Sequence, residues 1–77
     1  MRDLPDDDTW IHDRRRTIGD RVRSERRRQG LTQEQLILAA RIDRVTIWRV
    51  ETGQEMKVST LLRIARVLDV PLADLVQ

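Results

Sequence analysis

Residues 31–53 read Leu31-Thr32-Gln33-Glu34-Gln35-Leu36-Ile37-Leu38-Ala39-Ala40-Arg41-Ile42-Asp43-Arg44-Val45-Thr46-Ile47-Trp48-Arg49-Val50-Glu51-Thr52-Gly53. Two helices are written here. Thr32 is an N-cap, and Gln35, three residues on, completes a capping box. Leu36, Ala39 and Ala40 come next as inward positions. Asp43 is a second N-cap. Ile47 and Val50 give the next helix its buried side, and Gly53 ends it where a left-handed residue is wanted. Only Arg41, Ile42 and Asp43 separate the two helices. So short a link forces a steep crossing rather than an antiparallel hairpin, and the second helix protrudes.

The flanks are helical too. Ile18 and Val22 mark the inner face of a helix over about Thr17–Gln29, which Gly30 stops. Val58, Leu61, Leu62, Ile64, Ala65 and Leu68 are the apolar positions of a helix over 58–68, and Pro71 suits the first turn of a fifth helix ending at Val76. Period-two alternation is scarce and there are no repeats. The expected fold is all-α, five short helices around a small aliphatic core over residues 14–77. Residues 1–13, with Pro5 and a run of aspartates, are expected to form an acidic, flexible N-terminal tail in which Trp10 and Ile11 could dock on the domain.

Seventy-seven residues make one domain. There is no cysteine and His12 is the single histidine, so no disulfide framework, thiolate site or His-rich metal site is available and no metal is expected. No apolar run approaches the ~20 residues that span a bilayer, and the acidic N-terminus is unlike a secretory signal; a cytoplasmic, nucleoid-associated location is expected. Enzyme readings fail: His12 has no nucleophile partner in a recognisable motif, no glycine-rich phosphate loop is present, and Asp6 and Asp8 lie in the tail. No cofactor, small-molecule ligand or membrane partner is expected. The net charge of +2 conceals an asymmetry: residues 1–13 hold five aspartates against Arg2, a balance of −4, and residues 14–77 hold fourteen cations against eight acids, a balance of +6. Fourteen of the fifteen cations are arginine, whose planar fork of donors suits phosphates and guanine edges. Codon bias alone could favour arginine over lysine, but it does not confine the positive charge to the folded part.

The stretch Leu31–Leu36, then Ile42-Asp43-Arg44, Thr46-Ile47 and Glu51-Thr52-Gly53, resembles the Cro/phage-repressor helix-turn-helix of the Xre family, lambda-repressor-like. Leu61–Val70 is similar to that family's fourth helix and the residues just after it. The resemblance covers roughly residues 17–76, and its five apolar motif positions, Leu36, Ala40, Ile42, Ile47 and Val50, are all suitably filled. Two positions depart from the pattern. The family has a small residue where Ile37 stands and often glycine in the turn where Arg41 stands. Either the two helices sit further apart here, or the turn avoids the left-handed region.

Spacing puts Ile47, Val50 and Glu51 on the inner face of the second helix, leaving Arg44, Val45, Trp48, Arg49 and Thr52 outside. The resemblance implies that Arg44, Val45 and Arg49 read base edges, the arginines at guanine O6/N7 and Val45 at a thymine methyl; the alternative is that both arginines touch only phosphates. Gln33, at the N-terminus of the first helix, is a DNA-backbone candidate, as are Thr46, Thr52, Lys57 and Arg23; Thr32 is a further one, although a cap alone is the stronger reading. Trp48 either stacks on sugar–phosphate or packs beneath residues 54–57, the latter being expected. Family positions matching Arg26 and Glu51 form a salt bridge between helices one and three. The runs Arg14–Arg16 and Arg26–Arg28 are either a solvated face or an electrostatic footprint for DNA with which the acidic tail competes.

The resemblance therefore implies a transcription regulator of double-stranded DNA, a repressor acting as a homodimer on a pseudo-palindromic operator, with Val70, Leu72, Leu75 and Val76 as the dimer surface unless they simply close the core. The alternatives are a protein-interaction module on the same fold, its partner an anti-repressor or RNA polymerase, and a DNA-binding antitoxin or accessory protein of a mobile element.

Overall fold

A computed structural model describes residues 7–77; residues 1–6, including Asp3 and Asp6 of the acidic segment, lie outside the described residues. The described chain is all-helical: α1 (Thr9–Arg28), α2 (Gln33–Ala40), α3 (Arg44–Glu51), α4 (Val58–Leu68) and α5 (Leu72–Val76). The core is aliphatic. Leu36, Ile47, Ile64, Leu68, Leu75, Val22 and Val50 are fully buried, one or more from every helix. A chain lacking Phe and Tyr thus closes its interior with Leu, Ile, Val and Ala.

The first helix starts eight residues before the expected Thr17, so residues 9–13 of the acidic segment are helical. The Asp7 carboxylate accepts from the Thr9 amide at 2.9 Å, and Asp8 O receives the amides of Ile11 and His12. Downstream contacts hold the added turns. Arg14 Nη2 donates to Val76 O at 3.0 Å, Arg15 faces Glu55 at 3.9 Å, and Gly53 lies against the backbone of Arg15 and Arg16. Thr17 is interior, and its hydroxyl donates to Asp13 O. Few of these residues are apolar, so periodicity does not register them.

Gly19 sets how closely α1 and α3 approach: a Cβ there would collide with the Val50 carbonyl oxygen. At the other end of α1, Gln29 Nε2 donates to Leu68 O at 2.7 Å, tying it to the end of α4. The link between α2 and α3 does not avoid the left-handed region. Arg41 sits at φ 57°, ψ 48°, and the amides of Arg41 and Ile42 both return to Ile37 O. The strain of a non-glycine residue there, about 1–2 kcal/mol, is offset by closing two carbonyl bonds and by burying Ile37.

Candidate nucleic-acid interface

Helix α3 is held at its start, its underside and its end. Asp43 Oδ1 accepts from the Thr46 amide at 2.7 Å, and hydrogen bonding from Thr46 keeps the Asp43 carboxyl below the usual carboxylate range. Ile47 and Val50 are buried beneath it. Its last residue, Glu51, is 4% exposed and Arg26 of α1 is 6% exposed. Arg26 Nε and Nη2 grip the two Glu51 oxygens at 2.7 and 3.0 Å, a two-point geometry with both partners desolvated. Arg26 Nη1 donates to Leu31 O at 2.8 Å, and Gln33 Nε2 donates to Glu51 Oε1 at 3.1 Å. One carboxylate thus joins α1, α2 and α3.

With its underside locked, α3 presents a bare outer face of Arg44, Val45, Trp48, Arg49 and Thr52, all exposed. Val45 is 57% and Trp48 55% exposed. Trp48, expected to pack beneath residues 54–57, is more than half exposed. Arg44 Nη2 donates to Glu34 Oε2 of α2 at 2.6 Å, whereas Arg49 forms no ion pair among the described residues. Arg49 and Lys57 instead line an open cleft of about 470 Å³ beside α3, together with Thr46, Val50, Glu55, Met56 and Thr60.

Several residues singled out for the DNA backbone have internal work. Thr32 accepts from the Gln35 amide at 3.1 Å while Gln35 Oε1 accepts from the Thr32 amide at 2.8 Å, a complete capping box. Gln33 is half-buried on Glu51, so its side chain serves the clamp; a polar residue at a helix start looks the same in sequence whether it faces inward or outward. The Thr52 hydroxyl donates to Trp48 O at 2.6 Å, and Arg23 pairs with Asp20 at 2.8 Å. Lys57 is exposed at the N-cap of α4.

The expected dimer residues divide. Leu75 is 2% exposed and belongs to the chain's own core, so it is not available to a partner. Val70, Leu72 and Val76 pack against that core while partly exposed. Val58 and Leu62, counted among the apolar positions of α4, are exposed; their i, i+4 spacing places them together on the outward side of the helix. Among the described residues no cluster of His, Asp and Glu could hold a metal ion, and no helix is long and apolar enough to cross a membrane.

Residues 17–77 match a family model described as a helix-turn-helix domain. Among solved structures, the chain is similar to the restriction-modification controller protein C.AhdI from Aeromonas hydrophila, with a TM-score of 0.75 and 32% sequence identity over 79% of this chain and 94% of that one. No curated protein matches.

Proposed function

We propose that this chain, which belongs to the helix-turn-helix domain family and is of the Cro/phage-repressor (Xre) type, is a sequence-specific transcription regulator that sets the outer face of α3 in the major groove. The observation that carries this is the division of α3. Its inner side is buried and clamped through Glu51, while two arginines, a valine and a tryptophan stand exposed on the other. An exposed apolar side chain between two arginines costs solvation in the free protein, and a groove offering guanine acceptors and thymine methyls covers all three.

In this reading Arg49 and Arg44 donate to guanine and Val45 meets a thymine methyl. Trp48 stacks along the sugar–phosphate wall, and Lys57 and Thr46 flank a phosphate at the cleft they share with Arg49. One helix presents about three or four reading side chains, too few for a unique address. The protein therefore acts as a homodimer on a pseudo-palindromic site, with its two α3 helices about 34 Å apart. Val70, Leu72 and Val76 contribute the contact between copies. Repression comes from occupying a promoter. The likeness to C.AhdI supports a target within a gene set of the restriction-modification kind.

Gel-shift titration against the region upstream of the gene, at 50 and 200 mM salt, tests this. Sequence-dependent binding below about 1 μM that weakens by orders of magnitude at the higher salt is the expected result. Retention equal on unrelated DNA at both salts rejects sequence-specific regulation, and no retention at low salt favours a protein-interaction module. Arg49→Ala is expected to relax discrimination at one base pair by about 1–3 kcal/mol. Uniform weakening across sequences would instead make Arg49 a phosphate contact.

A further inference from the structure

The two arginines of the reading face are held differently. Arg44, first residue of α3, is bonded through Nη2 to Glu34 Oε2 at 2.6 Å, and Glu34 is the second residue of α2. The bond crosses from the first turn of one helix to the first turn of the other. Both side chains remain largely in solvent, Arg44 at 72% and Glu34 at 55%. Arg49 forms no ion pair among the described residues. A guanidinium has five N–H donors, and Glu34 engages Nη2 alone. The second hydrogen of Nη2, both hydrogens of Nη1 and that of Nε stay free, so one two-donor edge of the fork is left open to meet guanine O6 and N7.

We infer that Glu34 is a specificity-determining residue, which positions the Arg44 fork for a base edge and disfavours its use on phosphate. The inference rests on the proposed base-reading role of Arg44. Two physical effects act together. Tethered to α2, the long side chain samples fewer rotamers, so less freedom is lost when it meets a base. The carboxylate also sits beside the guanidinium, and an approaching phosphate meets both its negative charge and an arginine already paired. The first effect tightens binding to the correct sequence, and the second weakens binding to every other one. Arg49, without such a tether, supplies attraction that is freer to shift between base and backbone.

The two effects separate in two variants of the full chain. Glu34→Gln removes the charge and keeps an acceptor for Nη2; Glu34→Ala removes both. The probes are a duplex selected by the wild-type chain from a random-sequence pool, its single-base-pair variants, and an unrelated duplex. Discrimination is compared as affinity ratios on the same protein sample, so any change in folded fraction cancels, and affinities for the unrelated duplex are corrected for folded fraction. Both variants should bind the unrelated duplex about two- to three-fold more tightly at low salt. Glu34→Ala should lower discrimination at one base pair by about two- to five-fold, the scale of an exposed ion pair, and Glu34→Gln should keep most of it. Arg44→Ala should lose discrimination at that same base pair, and Glu34→Ala combined with Arg44→Ala should lose no more. If Arg44→Ala loses discrimination while Glu34→Ala keeps it, Arg44 reads unaided and the positioning role is overturned. If Arg44→Ala keeps discrimination at every base pair, the base-reading role itself fails and takes this inference with it.

Discussion

Replacing Glu51 with alanine removes the group on which three helices converge. In the intact protein its carboxylate accepts from Arg26 at 2.7 and 3.0 Å and from Gln33 at 3.1 Å. In the variant the Arg26 guanidinium remains in a site where the residue is 6% exposed, with only its bond to Leu31 O. Breaking a buried pair from one side costs about 3–5 kcal/mol. An independent count agrees: two hydrogen bonds between charged groups contribute about 1.5–3 kcal/mol each. Domains have about 0.05–0.15 kcal/mol of stability per residue, which for this chain is about 4–12 kcal/mol in all. The loss is thus about a quarter of the total at least. At about 4–8 °C per kcal/mol for a domain of this size, the melting temperature should fall by at least about 12 °C, measured by helical circular dichroism. DNA affinity, measured well below the transition and corrected for folded fraction, should change far less, because the outer face of α3 is untouched. Replacing both partners with leucine should recover most of the lost stability, since no charge is then left buried. A fall of under about 4 °C for Glu51→Ala would mean that Arg26 finds water or another acceptor without cost, and the clamp would no longer explain how α3 is held.

Three further substitutions test the frame around α3. Gly19→Ala should destabilise strongly even though alanine is the better helix former, because the new methyl meets the Val50 carbonyl; Gly30→Ala, with open space around it but φ at +74°, should cost only about 1 kcal/mol, and equal melting temperatures for the two would contradict the close α1–α3 approach. Arg41→Gly should raise stability by about 1 kcal/mol, seen as a higher urea midpoint at constant slope, because it relieves the left-handed residue in the turn. Asp43→Asn keeps the cap and removes its titration. Because hydrogen bonding lowers the folded-state pKa of Asp43, the stability it contributes is present above the ordinary carboxylate pKa and is lost as pH falls through the folded value. The wild-type melting temperature should therefore drop relative to Asp43→Asn on acidification, and parallel curves would show that the Asp43 charge takes no part.

What was legible in the sequence was whatever local chemistry settles. Thr32 with Gln35, Asp43 and Gly53 bound α2 and α3 within a residue or two, since a cap satisfies helix-end groups two or three residues away. The start of α1 was not legible, because its first turns are held by Val76 and Glu55, both far along the chain. Gly19 carried a readable sign, as a glycine inside a helix asks for a packing reason, but what it packs against is a backbone oxygen that no pattern of side chains announces. Leu75 and Val76 show the limit of periodicity: an amphipathic turn tells which residues leave water, and does not tell whether the cover is the chain itself or a second copy.

The same limit explains why the inner side of the candidate site was easier to read than the outer side. Ile47 and Val50 are apolar at helical spacing, and a carboxylate beside them at Glu51 is expensive without a partner, a partner that the family resemblance names as Arg26. Nothing comparable constrains an exposed polar residue. Gln33 could face inward or outward at equal cost in the sequence, and it turned to the carboxylate that Arg26 already holds. Glu34, its neighbour, is rotated about 100° round α2 and so points away from that cluster, where Arg44 is the cation within reach. Two adjacent polar residues at a helix start thus divide the labour by geometry: one secures α3 from beneath, and the other holds the first residue of its outer face.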